Sequence, residues 1–270
     1  MRHAWLVDCG RMPYGRAWAL QRALLAARQA ERVPDTVLLV EHPPVITVGR
    51  AGRSSNILAP RGLLAERGIE VFAVERGGDV TYHGPGQLVG YPILDLRALD
   101  EDVVRYVRLL EGTLIAALRE WRIPAERVRG YPGVWVRGAK IAAIGVAVKR
   151  KVTMHGFALN VDPELSHFEL INPCGLGKPV TSMARLLGRT VALDEVRPVV
   201  ARAFGEAMRM EWTGLGVAEL EAALREPVAE APWPVSNGRI RSGTESDGRT
   251  ATPPARLSPN PPDGARGGTR

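Results

Sequence analysis

The residues best suited to chemistry sit in two short stretches. The first runs Arg76-Gly77-Gly78-Asp79-Val80-Thr81-Tyr82-His83-Gly84-Pro85-Gly86-Gln87, four glycines in twelve residues. Such a backbone can adopt positive φ and let a ligand come close, and Arg76, Thr81, His83 and Gln87 put polar groups of several kinds around it. A phosphate cradle would need a helix directly after the loop. A strand-forming run, Leu88 to Leu96, follows instead. A substrate-binding loop is the better reading, with a plain turn between strands as the bland one.

The second stretch is Asn172-Pro173-Cys174-Gly175. Proline and glycine around the cysteine favour a turn with little side-chain bulk, so the thiol is expected to project. A lone cysteine is more often core filler, and Cys9, beside an apolar strand, has that look. Cys174 has no apolar periodicity around it. As a nucleophile it would need a cation or base beside it to form thiolate. Lys140, at the head of the apolar run Ile141-Ala142-Ala143-Ile144-Gly145, would sit where an ammonium is desolvated and its neutral form favoured; a solvated strand end is the alternative. His155 and His83 are equally open as bases, since Cys-His pairs activate thiols too. A metal held by His83, His155 and Cys174 lacks any close-spaced ligand pair, so no metal is expected. His42, beside Pro43-Pro44, reads as a buried or turn-capping residue, and His167 carries no further signal.

The elements that must position these groups read as mixed α and β. Leu20, Ala23, Leu24 and Ala27 predict a helix over Gly15 to Arg32. Thr36 to His42, Val45 to Val48, Val71 to Val74 and Leu88 to Leu96 are strand candidates. Val103, Tyr106, Val107, Leu110, Leu114, Ala117, Leu118 and Trp121 form a helical stripe that ends at Pro124. Gly133 to Arg137, Lys140 to Lys149 and Val152 to Val161 follow with short links, an antiparallel meander rather than βαβ units. A last helix is expected near Glu195 to Met210. The fold class is α+β: a mixed, largely antiparallel sheet flanked by helices.

With 270 residues, 45% hydrophobic, the chain is ample for a core. It has no run of about 18 apolar residues, so no membrane span is expected. An N-terminus without a secretory h-region points to the cytoplasm. Two cysteines are too few for a disulfide framework or a zinc cage. The last forty residues hold seven prolines and six glycines, and cannot bury enough apolar surface to offset their ordering. Residues 1–230 are therefore expected to be the folded domain, which would carry any catalysis, and 231–270 a disordered tail. Net charge is +7, of which +3 falls in that tail (six arginines against Glu245, Asp247 and Asp263). The remainder is spread thinly, without aromatic-basic interleaving, and gives no case for nucleic acid.

The glycine stretch resembles the signature of the lipoyl(octanoyl) transferase family. The resemblance continues through Glu41-His42-Pro43-Pro44-Val45, Gly133-Val134-Trp135-Val136, Lys140-Ile141-Ala142-Ala143-Ile144-Gly145, His155-Gly156-Phe157-Ala158-Leu159-Asn160-Val161 and Ile171-Asn172-Pro173-Cys174-Gly175, in the family's order over residues 1 to about 215. It implies the fold shared by lipoate and biotin protein ligases. It implies transfer of an octanoyl group from acyl carrier protein to a lysine of a lipoyl domain, the acceptors being 2-oxoacid dehydrogenase E2 subunits and the glycine cleavage H protein. Cys174 would carry the acyl-thioester, and Lys140 would lower its pKa and handle protons. Substrate-binding segments would be Arg76, Gly77, Gly78, Asp79, Val80, Thr81, Tyr82 and His83; Ala143, Ile144 and Gly145; and Gly156, Phe157 and Ala158. Ile141 and Ile144 are candidate walls of an acyl tunnel. Thioester exchange is near balance, so no nucleotide or other cofactor is implied, and the enzyme is expected to act as a monomer.

Two rival activities remain. An ATP-dependent lipoate or biotin ligase needs a nucleotide site and no nucleophilic cysteine. A Cys-His thioesterase, using Cys174 with His155 or His83, would release free acid and need no protein acceptor.

Overall fold

The computed structural model describes residues 1–99, 101–172 and 178–225. Cys174 and the expected tail, 231–270, lie outside the described residues. In chain order the elements are β1 (Arg2–Arg11), α1 (Tyr14–Gln29), β2 (Asp35–Glu41), β3 (Val45–Val48), α2 (Arg61–Glu66), β4 (Glu70–Ala73), β5 (Val80–His83), β6 (Gln87–Ile93), α3 (Val103–Arg119), β7 (Glu126–Val128), β8 (Tyr131–Val136), β9 (Ala139–Lys149), β10 (Val152–Asn160), α4 (Met183–Leu187), α5 (Leu193–Met208), β11 (Met210–Leu215) and α6 (Val217–Arg225).

Eight strands form one sheet in the order β11-β1-β2-β6-β10-β9-β8-β7. Pairing is antiparallel from β2 through to β7 and parallel only for β1 with β2 and β11. The α+β class with a mixed, largely antiparallel sheet is thus what the chain builds. A second, three-stranded sheet, β4-β3-β5, was not anticipated. Its strand β5 is the middle of the glycine stretch. Val80, Tyr82 and His83 are buried there, so Arg76 to His83 is half loop and half strand.

Each face of the large sheet has its own core. One face packs Phe157, Leu159 and Val134 against Tyr106, Leu110 and Leu114 of α3 and Phe204 of α5. The other packs Val89, Tyr91 and Ala158 against Tyr14, Ala17, Leu20 and Leu24 of α1. Ala23, expected on that stripe, faces solvent, and Gln21 takes the buried position. Helix α3 starts where Asp102 accepts the Val104 and Arg105 amide protons at 2.8 and 3.0 Å, a side-chain N-cap. The meander closes through two-residue turns with both residues left-handed: Arg137-Gly138 (φ 49° and 79°) and Arg150-Lys151 (φ 46° and 69°). That is the type I′ requirement, which follows the twist of the strands it joins. In this turn Arg150 and Lys151 stand where asparagine and glycine are favoured.

Candidate active site

Strand β8 stops pairing with β9 at Val134↔Ala142. Beyond that point β9 keeps β10 on one side and presents its other edge to a cavity of about 610 Å³. Ile144 is in phase with Ala142 and Val146. The Val146 carbonyl points to this edge, where it accepts the Gly77 N–H at 2.8 Å. Alternation along a strand therefore turns the Ile144 N–H and C=O the same way. All eight residues Arg76 to His83 line this cavity. So do Ala143, Ile144 and Gly145 of β9, Gly156, Phe157 and Ala158 of β10, and Lys140. Ile141, the other candidate tunnel wall, does not: it is fully buried in the core on the α3 side.

The glycine loop is clamped from within. Arg76 is buried. Its Nη2 donates to the Thr47 carbonyl (2.7 Å) and hydroxyl (2.9 Å), and its Nη1 to the Gly77 carbonyl (3.0 Å). Its stem lies on Gly145, where a Cβ would come within 3.1 Å of Arg76 Cδ. Asp79 turns its carboxylate towards its own loop and the next one. Oδ1 accepts the Val80 and Arg53 N–H groups, and Oδ2 accepts the Asn56 side-chain amide. The Asn56 carbonyl in turn accepts the Asn172 N–H at 2.8 Å, so Asp79 links the glycine loop to the N-terminal approach of the Cys174 motif.

Lys140 marks the other approach. Its N–H donates to the Pro179 carbonyl (2.9 Å), and its carbonyl accepts the Thr181 N–H (3.0 Å). Asn160 Nδ2 donates to the Thr181 carbonyl at 3.0 Å, fixing this segment to β10. The Lys140 ammonium lies 4.8 Å from the centroid of the Trp135 ring, and the Lys178 ammonium lies 3.8 Å from that of Tyr131. Gly133 passes beside the Lys140 stem. It is held by Glu111 of α3, a buried carboxylate that accepts the Gly133 N–H and the guanidinium protons of Arg108 and Arg127, each at 3.1 Å.

The far end of the cavity is built of rings. Tyr14 stacks on His83 at 6.3 Å, and Tyr91 meets His155 edge-on at 6.5 Å. Behind them His42 Nδ1–H donates to the Met12 carbonyl, and the Tyr91 hydroxyl donates to His42 Nε2, both at 2.7 Å. His83 Nδ1–H donates to Gln87 Oε1 at 3.2 Å. Burial favours the neutral imidazole in all three. It holds His42 down to about 4 against the pull of the Met12 hydrogen bond. It holds His155 down to about 4 against the charge of Glu75. His83 falls well below the usual histidine range through burial, with His42 and Arg76 adding to it. His155 also carries a left-handed backbone (φ 58°), with its N–H held by Gln21 Oε1 at 2.9 Å.

His42 is thus buried, as expected. Cys9 is buried packing, its thiol pushed up to about 12 by desolvation. His167 Nδ1 and the Tyr82 hydroxyl share a hydrogen bond of 2.7 Å. Among the described residues no three His, Cys, Asp or Glu side chains gather as a metal site, and no helix is long and apolar enough to cross a membrane. The cavity also takes Tyr14, Tyr91, Asn160, Trp135 and Lys178, which the sequence reading did not select. Asn160 stands inside the His155-to-Val161 motif and Trp135 inside Gly133-to-Val136, so position within those motifs was an available signal. Tyr14 and Tyr91 gave none beyond being apolar.

Residues 13–205 match the family described as Lipoyl protein ligase A/B catalytic domain. The chain is 52% identical over 211 residues to a protein of Solibacter usitatus named Octanoyltransferase, covering 78% of this chain and 96% of that one. It is 50% identical over 206 residues to an Octanoyltransferase of Koribacter versatilis, covering 74% and 82%. Among solved structures, the bipartite lipoate protein ligase of Thermoplasma acidophilum superimposes with a TM-score of 0.66 at 16% identity, covering 83% of this chain and 91% of that one. A lipoate-protein ligase A bound with ATP superimposes with a TM-score of 0.63 at 15% identity, covering 83% and 92%. These structural likenesses bear on fold.

Proposed function

This chain belongs to the octanoyltransferase family, and from that premise we propose that it transfers an octanoyl group from acyl carrier protein to a lysine of lipoyl domains through a Cys174 thioester. The observation that carries this reading is the convergence of the three glycine-bearing segments on one cavity that also takes in Lys140. The chain leading to and from the Cys174 motif is bonded at Asn56 on one side and at Lys140 on the other.

In the first half-reaction the Cys174 thiol gives its proton to Lys140 Nζ, and the thiolate attacks the donor carbonyl carbon. The bond from that carbon to the carrier-protein sulfur breaks, and the departing thiolate takes the proton from Lys140. In the second, a neutral acceptor lysine attacks the Cys174 thioester. Its proton passes through Lys140 to the released cysteine sulfur, leaving an amide. Backbone amides of the glycine segments that line the cavity are candidate donors to the tetrahedral oxyanion, where one good donor contributes about 3 kcal/mol. The apolar chain is held by burial, about 0.8 kcal/mol per methylene.

The acceptors under this reading are the lipoyl domains of 2-oxoacid dehydrogenase E2 subunits and the glycine cleavage H protein. The enzyme acts in the cytoplasm as a monomer, without a nucleotide. The test is intact mass after mixing with octanoyl-carrier protein in the absence of ATP, for wild type and Cys174→Ser. The wild type should gain about 126 Da, one octanoyl group, and the variant should not. An apo lipoyl domain should then discharge the adduct onto lysine, whereas release of free octanoate would identify a thioesterase. Acylation that appears only with ATP and free acid would make the protein a ligase.

A further inference from the structure

One face of β6 and one face of β10 form a graded floor to the cavity. Gln87, Val89 and Tyr91 follow one another at every second residue of β6. Asn160 and Ala158 lie opposite Gln87 and Val89 on β10, and all five side chains are at least 95% buried. The floor is polar at Gln87–Asn160, whose amides hydrogen-bond at 3.1 Å. It is aliphatic at Val89–Ala158, and it stops at the Tyr91 ring. Lys140 lies at the polar end, since Asn160 holds the segment bonded to the Lys140 peptide.

From this grading we propose that Tyr91 is the specificity-determining residue that sets acyl length, the carbonyl lying at the Gln87–Asn160 level and the methyl end against the Tyr91 ring. The proposal rests on the acyl-transfer reading above and adds its ruler. Four residues of strand separate Gln87 from Tyr91, about 13 Å at about 3.3 Å per residue. An extended octanoyl chain spans about 9 Å, seven bonds of about 1.5 Å in a zigzag. The difference, about 4 Å, is a single contact distance, taken up between the chain's methyl end and the Tyr91 ring. Two more methylenes would drive the chain into Tyr91.

The ring is fixed on its far side. Its hydroxyl is bonded to His42, which is bonded to the Met12 carbonyl, and its ring also packs near His155. Tyr14 makes the adjoining wall and stacks on His83, whose bond to Gln87 ties it to the polar end. All three histidines are held uncharged by burial, so the end wall meets a hydrocarbon with neutral rings. Swinging Tyr91 aside would strip His42 of its buried partner, which makes the stop rigid.

The experiment compares wild type with Tyr91→Ala, using carrier-protein donors of 6, 8, 10 and 12 carbons. It also measures binding of the free fatty acids by calorimetry. Wild type should favour eight carbons. Tyr91→Ala should raise the 10-to-8 ratio of kcat/KM and of affinity by about 16-fold, two newly accommodated methylenes at about fourfold each. An unchanged length profile in the folded variant overturns the proposal. Should Tyr91→Ala fail to fold, Ala158→Val decides. It narrows the aliphatic stretch and should raise the 6-to-8 ratio about threefold; no change in that ratio overturns the ruler. If wild type transfers no acyl group of any length, the transfer reading fails by itself, and the fatty-acid affinities still judge the ruler.

Discussion

Mild acid should destabilise this protein through its buried histidines. His42 and His155 are buried and neutral, each held to about 4 where a free histidine sits at 6.5. The unfolded chain takes up these protons as pH falls through 6.5, and the folded chain does so only near 4. The stabilisation is therefore complete above about pH 6.5 and is lost as pH falls towards 4. The groups facing these imidazoles do not reverse that sign. His42 meets the Tyr91 hydroxyl, the Tyr14 ring and the neighbouring His83; His155 meets Glu75, with Lys149 and Arg76 beyond. At about 1.4 kcal/mol per pH unit, moving from pH 7.5 to 5.5 should remove about 1.3 kcal/mol for each histidine. His83 adds in the same direction. A loss of about 3 kcal/mol against an m-value of about 2–3 kcal/mol per molar urea lowers the urea midpoint by about 1 M. Glu75 and Asp95, both held below their ordinary carboxylate values, contribute losses only below about pH 4.5 and do not overlap this window. Urea unfolding followed by far-UV circular dichroism at pH 7.5 and 5.5 measures it, and His42→Gln should shrink the difference by a third to a half. Equal midpoints at the two pH values would refute the neutral-histidine account of the ring wall.

Three further outcomes follow from the fold. Replacing Arg150 with Asn and Lys151 with Gly puts residues suited to left-handed backbone into the β9–β10 turn; it should stabilise by about 1 kcal/mol and raise Tm by about 3 °C in calorimetry. Glu111→Ala strips two half-exposed guanidiniums and the Gly133 N–H of their acceptor, and should cost about 2 kcal/mol by urea titration while lowering transfer through Lys140. A chain ended before Ala231 should keep full transfer activity; loss of activity in a folded truncation would bring residues 231–270 into the reaction.

The meander was legible because each of its strands is short-range in origin. A two-residue turn joins β9 to β10, and alternating apolar residues extend from it. Helix α3 was legible from one strong stripe. Strand β11 was not, because Met210–Leu215 is largely exposed and takes strand form by pairing with β1, two hundred residues away in sequence. Val80–His83 was read inside a glycine stretch and is a strand because β3 supplies a partner. In the site, glycine and motif signals marked the segments that touch the cavity. The end wall went unseen: Tyr14, Tyr91 and His42 come from α1, β6 and the end of β2, and only tertiary packing brings their rings together.

The sheet is finished by its own last strand. Strand β1 pairs from Ala4 onward with β2 on one side, and its residues Arg2 to Val7 pair with Met210–Leu215 on the other. On a ribosome adding about 5–20 residues per second, β1 waits roughly 10–40 s for β11 to be made. During that time its outer row of N–H and C=O groups is an open edge, the kind that recruits foreign strands. Folding of the nascent chain is therefore exposed to mispairing at its first strand until nearly the last described residue has emerged. A fusion partner or arrest point placed before residue 215 should prolong that exposure and lower the soluble yield.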